Sequence, residues 1–454
     1  GCLLPLAGLV WSLLGQGGPT FGLAPSLGGA SASSSLAGGG SLQRHSQLRQ
    51  RVGLNALEGL AAAPEVAGAA EAAQSFLDMS LLTSFADQGQ NINGVLFQAS
   101  LLPYLFFLYF LSYKGNNTPP LVQYGFQFLL LFVVATIPTG IIAKGTFGVI
   151  LADSDWLHGA AESLLTCTNI LLVLGFRGAL QGDAELANNG TMRNISLAWL
   201  AGVVITIAAG IPIGGFEAHT PLLGGVGALP AEVMPVLEPV NALSVPTWIV
   251  HWSSVFEFLL AMNLAWRYAE VSGNQKWKGL TWGMLPSHIS SCAALTFHIF
   301  YNQVPWVLTA QAFFTFMGNT TLCIAAGRIA MSNGWTVNEL NPLTAISGAF
   351  AKLTGGEEKE EEQKVFDTST LTPLPEGELI SGPLLVVEIV ALTVFMSYAT
   401  KYGELLLAAG LFESTDVAAS VVSLLFILVP PALVANTIFA DSGDLQKQFA
   451  KSTS

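Results

Sequence analysis

Leu121 to Ala143 reads LVQYGFQFLLLFVVATIPTGIIA, 23 residues without one Asp, Glu, Lys or Arg. As an α-helix this stretch is about 34 Å long, enough to cross the roughly 30 Å hydrocarbon core of a bilayer. No water reaches a backbone at that depth, so every N–H and C=O must be paired within the segment. A helix does this without closing a barrel. Working outward, comparable runs recur near 95–113, 156–176, 195–215, 247–267, 279–300, 306–330, 380–400 and 416–438. With 121–143 they make nine, and they are too long and continuous for barrel strands. The expected fold is all-α, a polytopic membrane protein with about nine transmembrane helices.

Composition agrees. Of 454 residues 52% are hydrophobic and 10% charged, against about 25% charged in soluble domains. The net charge of −13 and the absence of Lys/Arg clusters exclude a nucleic-acid partner. Lipid is the expected one. Cys2, Cys167, Cys292 and Cys323 sit at wide spacing inside apolar runs and read as buried thiols rather than a metal pair or disulfide framework.

Positive charge orients the spans. Loops after the odd-numbered spans among the first seven carry Lys114, Arg177, Arg193, Arg267, Lys276, Lys278, Arg328, Lys352, Lys359 and Lys364, and those after even-numbered spans carry Lys144 and Lys401. The bias places the odd loops on the cytoplasm-equivalent side. The acidic run Glu357–Glu362 then lies in a solvated linker, residues 331–379, on that side.

Two segments share more than hydropathy. Gly115-Asn116 follows the first span and Gly125 comes ten residues later, preceded by Tyr124. Gly273-Asn274 follows the fifth, with Gly283 ten residues on, preceded by Trp282. The third helices read TNILLVLGFR (Thr168 to Arg177) and GNTTLCIAAGR (Gly318 to Arg328), so Asn169 and Asn319 fall mid-span in equivalent places. These matches predict two three-helix repeats, 94–178 and 247–330. One linking span, 195–215, gives both the same orientation, and two C-terminal spans, 380–438, follow.

Polar groups inside a bilayer are costly and attract functional readings. On helical spacing Glu162, Thr166 and Asn169 share a face of the third span, and Gln311, Thr315 and Asn319 share one of the seventh. Ser287, Ser291 and His298 form a stripe on the sixth, and His251, Ser254 and Glu257 one on the fifth. Two readings stand side by side: a central polar site with Asn169 and Asn319 touching a solute, or hydrogen bonds that join helices. His158, His251, His288 and His298 are also the residue type that ligates the magnesium of chlorophyll or the iron of haem. No Walker A, HExxH, GxSxG or EF-hand pattern occurs, so no enzyme is expected.

The first seventy residues read as a presequence. CLLPLAGLVWSLLG (2–15) has the length of a signal-peptide core. After it come Phe21 in TFGLAPS, a Ser/Ala/Gly-rich stretch with Arg44, Arg49 and Arg51, and no acidic residue before Glu58. The arrangement resembles the bipartite signal and transit presequence of plastids acquired by secondary endosymbiosis.

SVPTWIVHWSSVFEFLLAMNLAWRYAEVSGNQKWKGLTWGMLPSHISS (244–291), continuing to MGNTTLCIAAGRIA (317–330), resembles the cyanobacterial and plastid membrane family named for hypothetical chloroplast reading frame forty-nine. LLPYLFFLYF (101–110) through DSDWLHGAAESLLTCTNILLVLGFR (153–177) is similar to a second uncharacterised family of photosynthetic organisms. Both resemblances imply a photosynthetic, thylakoid setting near photosynthetic complexes, and neither brings a residue role. The three-plus-one-plus-three order is also similar to the sugar-efflux (SWEET) and PQ-loop carriers. There Asn169 and Asn319 would line a solute site, and Pro138 and Pro286 would loosen helices, although no Pro-Gln dipeptide occurs.

Overall fold

The computed structural model describes residues 92–213, 239, 241–340, 366–406 and 416–452. The presequence at 1–70 and the run Glu357–Glu362 lie outside the described residues. Within them stand nine long helices: α1 Ile92–Leu111, α2 Pro120–Ile142, α3 Asp155–Gln181, α4 Gly190–Ile213, α5 Val245–Val271, α6 Lys278–Ile299, α7 Pro305–Ser332, α8 Gly382–Leu406 and α9 Asp416–Ser452. Eight are long and apolar enough to cross a membrane, and α6 is the exception. Its polar residues, among them Ser287, His288, Ser290, Ser291 and His298, lower its hydropathy. The fold is all-α and polytopic.

Local sequence sets the helix ends. Pro120, Pro246 and Pro305 stand in the first turns of α2, α5 and α7, where the missing N–H costs nothing and φ is already helical. Gly182, at φ 69°, ends α3 in the left-handed region that glycine reaches without strain. Ser244 caps α5 by accepting from the Thr247 N–H.

Contacts divide the chain into two units, and the second half of α4 (202–213) is the described part of the first. In the other unit, α3 packs between α2 and α5, and α7 packs between α6 and α1, while α1 and α2 touch only lightly. Each third helix of the expected segments thus meets its own second helix and the first helix of the other segment. Small residues make these crossings close, as they do between helices in lipid. A Cβ on Gly125 of α2 would lie 2.9 Å from Leu172 Cδ2 of α3. One on Gly283 of α6 would lie 3.0 Å from the Thr321 carbonyl of α7, and Thr321 Oγ1 donates to the Gly283 carbonyl at 2.7 Å.

The linker after α7 is described again from residue 366 onward, where it is mostly exposed yet tied to the helix ends. In its described part Asn117 and Asp367 exchange hydrogen bonds at 2.9 and 3.0 Å. The Thr372 N–H donates to the Val271 carbonyl and the Leu374 N–H to the Leu180 carbonyl, both at 2.9 Å. Arg177 donates to the Ile380 carbonyl, and Arg267 pairs with Glu378 at 2.5 Å. Residues 366–380 form a strap across the ends of α1, α3 and α5. The backbone carbonyls left free at helix ends give it its partners.

Candidate functional site

The polar stripes separate into two contacts. Asn169 of α3 donates to the Ser254 carbonyl of α5 at 3.0 Å, beside a 2.9 Å contact between the hydroxyls of Thr166 and Ser254. Asn319 of α7 donates to the Ser100 carbonyl of α1 at 3.1 Å. Thr315 of α7 donates to the Gln311 carbonyl and meets the Ser290 hydroxyl of α6, both at 2.8 Å. The two asparagines therefore satisfy backbone carbonyls in different helix pairs, where an unpaired polar group would be penalised.

Glu162 does something else. One turn of α3 before it stands His158, whose Nε2 lies 3.0 Å from Glu162 Oε1. Glu162 Oε2 lies 3.0 Å from His251 Nδ1 of α5, in ion-pair range. His298, near the end of α6, completes a triangle: ring centroids are 5.0 Å apart for His158–His251, 4.8 Å for His158–His298 and 5.0 Å for His251–His298. One ring nitrogen of each lies within 4.8 Å of the others. All three side chains are buried.

Topology explains the meeting. Helices α3 and α5 run side by side in the same direction and α6 runs antiparallel to α5, so the starts of α3 and α5 lie beside the end of α6. His158 and His251 occur early in their helices and His298 late in its own. His288, higher on α6, stays apart, its Nε2 3.9 Å from Cys292 Sγ.

The surroundings are polar and held firmly. Tyr301 and Asn302, directly after α6, both have positive φ, 50° and 61°. Such a conformation in non-glycine residues costs about 1–3 kcal/mol and needs support. Asn302 supplies part of it, donating to Asp153 Oδ1 at 2.6 Å, and Asn241 donates to the Tyr301 carbonyl. Asp155 accepts from the Ser244 N–H at 2.8 Å. Trp248 stands edge-on to His251 and His298, at 5.8 and 6.4 Å. On α8, Thr393, Ser397, Lys401 and Glu404 turn a buried polar stripe inward, and Lys401 donates to the Leu243 carbonyl. The stripe escapes a hydropathy reading that closes the span at residue 400. Its i, i+4, i+8, i+11 spacing was the available signal.

Among known proteins, residues 242–328 match a family model described as a protein of unknown function (DUF2499), and residues 93–181 match another, described likewise (DUF3593). A Ycf49-like protein of Synechocystis is 50% identical over 88 residues, which are 19% of this chain and 85% of that protein. An uncharacterised ycf49 protein of Cyanophora paradoxa is 34% identical over 84 residues, 18% of this chain and 82% of that one. No solved structure matches. The DUF2499 match holds α5, α6 and most of α7, with His251 and His298, whereas His158 and Glu162 lie in the DUF3593 match.

Proposed function

Because the chain belongs to the Ycf49-like family, we propose that it is a non-enzymatic, multi-pass protein of a plastid membrane, the thylakoid, which associates with photosynthetic complexes or their assembly. The setting rests on its likeness to proteins of two photosynthetic organisms. One observation carries the mechanistic half: Asn169 and Asn319 are both bonded to backbone carbonyls in packed contacts. A bundle whose two mid-span asparagines are already paired across helices favours persistence, and persistence is what a scaffold needs. Large apolar side chains on α8 and α9, such as Val387, Phe395, Leu425 and Leu433, point outward and suit lipid or a neighbouring membrane subunit. The small-solute carrier reading keeps the reciprocal packing of α3 and α7 as its support, but it requires those asparagine bonds to break in each cycle.

The deciding experiment is native electrophoresis of gently solubilised membranes containing a tagged chain. Co-migration with a pigmented complex is the expected result. Migration as a free protein throughout plastid development would sink the scaffold reading. Solute uptake into liposomes that is lost in the Asn169→Ala, Asn319→Ala double variant would install the carrier in its place.

A further inference from the structure

The histidine triangle goes beyond a scaffold's needs. We propose that His158, His251 and His298 bind one divalent first-row transition-metal ion of the zinc class, with Glu162 as the carboxylate that orients two of them from behind.

Three observations converge. One nitrogen from each ring lies within 4.8 Å of the others. For atoms so placed there is a point within about 2.8 Å of all three, against 2.0–2.1 Å for a zinc–nitrogen bond, so sub-ångström ring movements close the site. Next, Glu162 engages one nitrogen of His158 and approaches one of His251. The opposite nitrogen of His251, Nε2, is buried without a protein hydrogen-bond partner, while the Ala152 backbone neighbours the His158 ring and the Asn302 side chain the His298 ring. These three side chains are only 6%, 4% and 5% exposed. A carboxylate on one side of an imidazole and a vacant lone pair on the other is the arrangement by which second-shell groups fix the tautomer of metal-binding histidines. Finally, the donor set selects the ion. Imidazole nitrogen suits zinc, copper, iron and nickel, whereas calcium and magnesium demand mostly oxygen ligands. Three protein ligands leave a fourth tetrahedral position for water.

The ion would tie α3 to α5 and α6, joining the two family-matched segments. It rests on no feature of the proposed scaffold role, and the two can fail independently.

The test uses the full chain, purified in detergent, stripped with a chelator and titrated with Co²⁺, then Zn²⁺. One equivalent of Co²⁺ should give the intense visible bands of low-coordinate cobalt, and Zn²⁺ should displace it. His251→Gln and His298→Gln should each weaken binding at least about 100-fold, and Glu162→Gln about 10–100-fold. His288→Gln should leave it unchanged. Wild-type uptake no greater than that of a His158, His251, His298 triple variant would overturn the proposal. Should the variants fail to fold, zinc-edge X-ray absorption of the wild-type protein decides alone. Imidazole backscatter from about three ligands supports the site, and an oxygen-only shell rejects it.

Discussion

Glu162 of α3 and His251 of α5 stand 3.0 Å apart, while the same carboxylate holds His158 at 3.0 Å. One acidic side chain thereby joins imidazoles from two segments that the sequence separates widely. Removing one member of such a group leaves buried polar atoms unpaired, at about 1–3 kcal/mol. Glu162→Leu is expected to lower the thermal unfolding temperature in detergent more than Glu162→Gln, which still offers a hydrogen-bond acceptor. A Leu variant as stable as the wild type would show that the carboxylate contributes nothing to the fold.

Asn169 and Asn319 do not share a partner. Interhelical hydrogen bonds in membrane proteins average about 0.6 kcal/mol and reach about 1.7. Asn169→Ala and Asn319→Ala should each cost that order of stability, and the double variant should show their sum. Coupling well above about 0.5 kcal/mol in a double-mutant cycle would mean that the two side chains act on a common site after all.

Gly318 of α7 lies against α6, where an added Cβ would come within 2.8 Å of the Ser287 nitrogen. Backbone cannot retreat as a flexible side chain can. Gly318→Val should destabilise by about 1–3 kcal/mol. Gly279, whose added Cβ would meet nothing within 4 Å, is the control. Gly279→Ala should be neutral or gain up to about 1 kcal/mol from helix propensity. Chemical-denaturation midpoints of both variants provide the comparison.

Gln303 follows the end of α6 beside the histidine triangle, and Ser369 lies in the strap at the opposite end of α5; both are exposed. In a background with the native cysteines replaced, Gln303→Cys and Ser369→Cys should react with an impermeant maleimide from opposite sides of sealed vesicles. The charge bias puts Ser369 on the cytoplasm-equivalent side. Labelling of both from one side would refute the alternating path of the helices.

Much of this was open to reading along the chain. Each span is a local property: backbone in lipid must pair with itself, so an uncharged run such as 121–143 has one outcome. The exception, α6, is instructive, because its polar residues lower its hydropathy yet face α5 and α7 rather than lipid. His158 and Glu162 could be paired from their i, i+4 spacing. That His251 and His298 join them follows only once α3, α5 and α6 are placed side by side. Lys401 and Glu404 were hidden by a window that ends where apolar residues stop.

Sequence alone therefore determined the solvent and the number of long helices among the described residues, since each depends on composition and span length within a single segment. It also set the helix ends, through Pro120, Pro246, Pro305 and Gly182. Tertiary structure decided which polar faces meet. The asparagines that look equivalent are held apart by the pairing of α3 with α5 and of α7 with α1. Three histidines that look scattered, His158, His251 and His298, bring one ring nitrogen each to within 4.8 Å of the others. Periodicity records which face of a helix is polar, but the neighbour on that face is chosen by close packing around Gly125, Gly283 and Gly318, and that choice belongs to all the helices together.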